Sequence, residues 1–143
     1  MIRQIRKSMF ETNSSSCHTF TISADDFLDQ KQSSLRFNLG EYGWDQCYLT
    51  TPEEKAAYLY TAIMCFGNNV VELICNIQNV LNKNKIKYTF ENPFKQECND
   101  SYYIDHQSED EAKDLIEKCK DESELMKFLF SSDSKVKIDN DNH

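Results

Sequence analysis

Two hydrophobic periods run through this chain. Residues 2–10 (IRQIRKSMF) and 17–22 (CHTFTI) change between apolar and polar with partial alternation, as strands with one buried face do. Between them stands Glu11-Thr12-Asn13-Ser14-Ser15-Ser16, a run whose side chains bond nearby backbone and favour turns. The pair therefore predicts a β-hairpin. A polar stretch over 24–32 leads to a third predicted strand near 34–39. Gly40-Glu41-Tyr42-Gly43-Trp44 follows as a turn holding two of the chain's three glycines.

From residue 51 the period becomes helical. Thr51-Pro52-Glu53-Glu54 is a start signal: Thr caps, Pro suits the first position, and two carboxylates complement the positive helix end. Ala56, Leu59, Tyr60, Ile63, Met64 and Phe66 then recur on one side until Gly67-Asn68-Asn69 interrupts them. A second helix is predicted over 70–81, with Val70, Leu73, Ile74, Ile77, Val80 and Leu81 as its apolar set. A strand over 86–90 ends at Asn92-Pro93, and a short strand is predicted over 102–105. Ser108-Glu109-Asp110-Glu111 reads as a capping box that opens a third helix through Cys119. A fourth helix over 122–130 turns Leu125, Phe128 and Leu129 inward, and a last strand covers 135–138.

Strands early, midway and late, with two helical pairs between, specify an α+β fold. The expected architecture is a single domain over 1–143, an antiparallel or mixed sheet with two helical pairs packed on one face. No internal repeat and no dividing linker interrupts it. No apolar run approaches the roughly 18 residues of a membrane span. The basic start is not followed by the apolar core of a secretory signal, so a cytoplasmic location is expected.

Charge narrows the partners. The chain of 143 residues carries 16 Lys and Arg against 24 Asp and Glu, a net −8. Proteins that grip duplex nucleic acid through phosphates carry the opposite sign, so direct nucleic-acid binding is disfavoured. The excess is local: residues 97–126 hold 11 acidic side chains and 3 Lys, whereas 83–95 hold four Lys and one Glu. The third helix should therefore present an acidic solvent face. Its plain reading is solubility. Its functional reading is a contact surface for a basic protein, with Glu109, Asp110, Glu117 and Asp121 as the partner-binding residues.

Six cysteines at 17, 47, 65, 75, 98 and 119 have wide, irregular gaps and no C-x-x-C. That spacing fits reduced thiols better than a disulfide scaffold or a zinc ribbon. His18, His106 and His143 do not pair with cysteines at ligand spacing, and Cys17 and His18 point to opposite faces if they lie in a strand. Neither a metal nor another cofactor is expected.

Two polar clusters could carry chemistry. In the first, Ser14, Ser15 and Ser16 could supply a nucleophile or oxyanion donors, His18 a proton shuttle and Glu11 an orienting acid, with Asn13 beside them. The plainer reading is a hairpin loop whose hydroxyls satisfy backbone groups. In the second, Asp105-His106-Gln107-Ser108 stands at a strand-to-helix junction, where a neutral His106 beside anion-binding amides would suit a phosphate or carboxylate. The plainer reading there is a packed histidine, with Asp105 and Ser108 capping the helix. Trp44 and Tyr42 flank Gly43 and could stack on a ring, although such aromatics more often pin a turn to the core. Asp139-Asn140-Asp141-Asn142 resembles half a calcium loop but lacks the glycine and the distant glutamate. No G-x-S-x-G, P-loop, H-E-x-x-H or G-x-G-x-x-G is present.

Several strings together resemble a group of uncharacterised proteins of Gram-positive bacteria and their phages. They are Phe10–Ser16 with His18, Gly40–Trp44 followed by Tyr58-Leu59-Tyr60-Thr61, Tyr103–Ser108, and Phe128-Leu129-Phe130 with the closing Asn140-Asp141-Asn142. The resemblance implies a phage or mobile-element setting, and that the two polar clusters form one site. Where the group often has a glycine before the last string, this chain has Asp139.

Two functions remain open from the sequence. The first is a small acidic phage or mobile-element accessory that binds and inhibits a basic host or defence protein. The second is a small metal-independent hydrolase or transferase acting on a nucleotide-like or phosphorylated ligand. In the second, His18 and His106 are acid and base, Glu11 and Asp105 orient them, and Asn13 with Ser14–Ser16 holds the oxyanion. Ligand contacts would come from Asn13, Ser16, Trp44, Gln107 and Ser108. The sequence does not decide the oligomeric state.

Overall fold

The computed structural model describes residues 16–23, 34–43, 47–93 and 102–140, with all side chains there except those of Ser16, Cys17, His106 and Asn140. In chain order the elements are β1 (Ser16–Thr21), β2 (Ser34–Phe37), β3 (Glu41–Tyr42), β4 (Cys47–Leu49), α1 (Pro52–Phe66), α2 (Val70–Lys83), β5 (Lys87–Phe90), β6 (Tyr103–Ile104), a 3-10 turn (His106–Ser108), α3 (Glu109–Lys118), α4 (Glu122–Phe130) and β7 (Lys135–Asn140). This is an α+β fold.

Its strands are divided among three small sheets. β7 is the middle of an antiparallel sheet, with β1 and β4 on either side. β2 pairs in parallel with β5, and β3 in parallel with β6. The first half of the predicted hairpin lies outside the described residues. Its second half pairs antiparallel with the C-terminal strand, Ser16 opposite Asn140 through Thr21 opposite Lys135.

The helix starts follow their sequence signals unevenly. At α1 the Thr51 hydroxyl accepts from the Glu54 backbone, and the Glu54 carboxylate accepts from the Thr51 N–H, a complete capping box. At α4 the Asp121 carboxylate accepts from the Glu124 N–H. At α3 the predicted box is absent: Ser108 holds the cap position but makes no side-chain cap bond.

α1 is the hub. It buries Lys55, Ala56, Tyr58, Leu59, Tyr60, Thr61, Ala62 and Ile63, so it is covered on most sides instead of along one stripe. β2, α3, α4 and β6 pack round it, while α2 touches it lightly. Buried Leu115, Ile116, Leu125, Phe128, Leu129, Val136 and Ile138 fill the space between. Lys55 has no exposure at all. Its ammonium donates to the Ser131 and Ser134 carbonyls at 2.8 and 2.9 Å, at the C-terminal end of α4 where a cation complements the helix dipole.

Among the described cysteines, Cys119 is buried and Cys65 half-buried, and burial pushes both thiols up. Cys75 is exposed. No helix of the described residues is long and apolar enough to cross a membrane.

Candidate functional site

Strand alternation sends one histidine into the core. In β1 the exposed Thr19 and Thr21 face solvent, whereas His18 and Phe20 stand opposite Ile138 and Val136, both buried on β7. His18 thus takes a place an apolar side chain would ordinarily hold, and is 2% exposed. A buried polar ring must find partners; this one finds them on two other segments, and the His18 backbone is held by a third.

The first partner is the carbonyl of Gly43, 3.1 Å from Nε2. Gly43 follows β3, whose parallel pairing with β6 brings Tyr103 close. A Cβ at residue 43 would lie 2.6 Å from the Tyr103 hydroxyl, so glycine lets the turn sit there. The second partner is the Tyr58 hydroxyl on α1, 3.0 Å from Nδ1. Tyr42 packs edge-on against Tyr58 with ring centroids 5.0 Å apart. The third is Ser108, whose hydroxyl accepts the His18 backbone N–H at 3.2 Å. Here lies the reason α3 lacks its capping box: the Ser108 oxygen is turned toward β1. The 3-10 turn is held instead by Asp105, whose carbonyl accepts the Ser108 N–H at 2.8 Å.

These partners fix the ring's chemistry. A carbonyl only accepts, so Nε2 carries the hydrogen. Burial lowers the His18 pKa, outweighing the raising effects of the Gly43 carbonyl and the Asp105 carboxylate. The neutral ring then has a lone pair at Nδ1, and Tyr58 donates to it. Burial also pushes Tyr58 upward and Tyr42 up to about 12, so both hydroxyls keep their protons. In this arrangement both ring nitrogens are bonded within the protein. His18 acts as a brace between four segments, with its lone pair turned to Tyr58 and not to solvent.

The two polar clusters are thus brought together in part: His18 meets Ser108, and Asp105 lies near enough to act on His18 and Tyr58 through its charge. Gln107 is exposed. His106 belongs to the same 3-10 turn, but its side chain is not among those described. Ser16 is described by its backbone in β1 alone. Glu11, Asn13, Ser14, Ser15 and Trp44 lie outside the described residues, as do Asp141 and Asn142 of the closing string. Tyr42 is pinned to Tyr58, not held out for a ring. Among the described residues no group of three or more His, Cys, Asp or Glu is placed to hold a metal ion.

Sequence reasoning passed over Tyr58 and the Gly43 carbonyl. Tyr58 falls between the periodic apolar positions of α1, and a backbone acceptor has no sequence signature. Their strings were distinctive, but spacing alone could not show that they meet at His18.

The acidic residues are placed differently. α3 buries Ala112, Leu115 and Ile116 and turns Asp110, Asp114 and Glu117 outward, three positions on one helical stripe. Half-buried Glu109 pairs with exposed Lys113 at 2.8 Å, and exposed Glu117 with exposed Lys120 at 2.9 Å. Asp121, also exposed, is the cap of α4. Comparison of the chain with family models, with curated proteins and with solved structures gave no match in any of the three.

Proposed function

We propose that this chain is a small acidic accessory protein of a phage or mobile element. In this reading it docks on a basic host or defence protein in the cytoplasm and blocks it through the outer face of α3 and the turn into α4. The observation that carries the reading is the segregation on α3: its apolar side chains are spent on α1 and β1, leaving Asp110, Asp114 and Glu117 aligned on the solvent side. Aligned carboxylates steer a basic partner and reject acidic ones. The internal pairs with Lys113 and Lys120 lie at the surface, where such pairs contribute only about 0–1 kcal/mol.

The test is charge reversal with Asp110→Lys, Asp114→Lys and Glu117→Lys combined. Asp121 is left intact because its cap supports α4. Tagged wild type should retain a basic protein from a Gram-positive host lysate and release it at moderate salt. The reversed variant, still folded by circular dichroism, should retain none. Equal retention by the two would overturn the reading.

The meeting of His18 with the Asp105–Ser108 turn favours a second reading, the small hydrolase or transferase acting on a phosphorylated or nucleotide-like ligand. Internal bonding of both His18 nitrogens weighs against it. A nucleotide or phosphate that co-purifies with the wild type and is lost from His106→Ala would support it over docking.

A further inference from the structure

The antiparallel sheet of β1, β7 and β4 has two unlike faces. One carries His18, Phe20, Leu49, Val136 and Ile138 into the core. Residues directly opposite each other in an antiparallel ladder share a face. The register therefore sets Thr19, Lys137 and Tyr48 in one row on the outer face, with Thr21 and Lys135 in the next. Thr19, Thr21, Tyr48 and Lys135 are exposed, and Lys137 is half-buried. Tyr48 is the odd member of this set. It stands on an edge strand and is 55% exposed; among the described residues only Val71 is another large hydrophobic so placed. Both lysines flank its ring. Lys137 is directly opposite on β7, and the Lys135 ammonium lies over the ring, 5.5 Å from its centroid. Lys137 also meets Asp139 at 3.6 Å, a loose surface pair.

We propose that the outer face of this sheet binds single-stranded nucleic acid: a base stacks on the Tyr48 ring, and the phosphates on either side of it pair with Lys135 and Lys137. The inference goes beyond the docking reading and does not rest on it. A ring held out in solvent beside two ammonium groups offers what an unpaired nucleotide needs, a π-face for the base and cations for the backbone. The Thr19 and Thr21 hydroxyls, in the same two rows, add donors that suit phosphate and sugar oxygens without reading sequence. Tyr42 cannot serve in this way, since its ring is pinned to Tyr58.

Charge decides which kind of strand fits. At a net −8 the molecule repels phosphates, and two lysines cannot hold a duplex through its backbone against that repulsion. Stacking is neither repelled by the net charge nor weakened by salt as ion pairs are. It does need a base free of its partner strand, so the face selects unpaired nucleic acid. Every base has a π-face, so little sequence preference is expected.

The test is fluorescence anisotropy of a labelled oligothymidylate titrated with the full chain over a series of salt concentrations. The single strand should bind, and more tightly than a duplex of the same length. Tyr48→Phe, which keeps a ring, should bind as wild type does. Tyr48→Leu, still folded by circular dichroism, should bind roughly 5- to 150-fold more weakly, the range for one lost stack. With two phosphate contacts on a single strand, log affinity should fall against log salt with a slope of about −1.4, easing to about −0.7 in Lys135→Gln. Should Tyr48→Leu unsettle the edge strand, the slope of Lys135→Gln still decides. Equal binding by a folded Tyr48→Leu, or a duplex held as tightly as the single strand, would overturn the proposal. So would an unchanged slope in Lys135→Gln, or no binding at low salt.

Discussion

Two buried basic side chains, His18 and Lys55, show how one residue can bind distant segments. His18 stays neutral by matching a donor to one nitrogen and an acceptor to the other. Lys55 is fully enclosed, and its described partners are carbonyls alone, so burial pulls its pKa from the ordinary 10.5 to about 8. At Lys55 the unfolded chain therefore binds more protons between those two values, so this residue's contribution to stability should rise with pH across about 8 to 10.5, while the buried tyrosines and thiols, held protonated, act in the opposite direction at the upper end. The gain should be at most on the order of 3 kcal/mol, one unit being worth about 1.4. Urea unfolding across that range should show a slope of stability against pH that is more positive in wild type than in Lys55→Met. An identical slope in both would show that other groups produce it. Neither residue's role was legible in advance. His18 stood out as a possible proton shuttle for its polar neighbours, but what decides its behaviour is a tyrosine 40 positions away. Lys55 carries no signal in the sequence, because nothing local announces that α4 ends against it.

Elements were legible where their signals are local. Thr51 and Glu54 close on each other within one turn, so the start of α1 could be read directly. Ser108 and Glu111 show the same spacing, yet a long-range donor, the His18 N–H, takes the serine oxygen. The β1–β7 pairing joins the two ends of the described chain, and period-2 alternation says nothing about which strand lies opposite. Gly67 is a mixed case. Its backbone is ordinary extended geometry, so the interruption seen in the sequence does not come from a left-handed turn. What demands glycine is space: a Cβ there would lie 2.6 Å from the Ile63 carbonyl oxygen and 3.0 Å from Leu73. Gly67→Ala must push backbone at the α1–α2 joint and should cost about 1–3 kcal/mol, read as a lower denaturation midpoint. An unchanged midpoint would mean that the joint yields freely.

At the scale of the molecule, the charge pattern and the fold agree in one respect. α3 carries the densest carboxylates in the described chain, and it is also the helix whose start is tied to β1 through Ser108. Its acidic face was readable from composition by position. Which carboxylates stand outward without supporting the fold was not, because Asp121's cap and the lysine pairs of Glu109 and Glu117 depend on the folded turns. The central claim, docking through this face, is tested most directly by hydrogen exchange on the captured complex. The account predicts new protection confined to α3 and the turn into α4, around Asp110, Asp114 and Glu117, lost as salt rises. Protection that leaves α3 unchanged and falls on another face would contradict it.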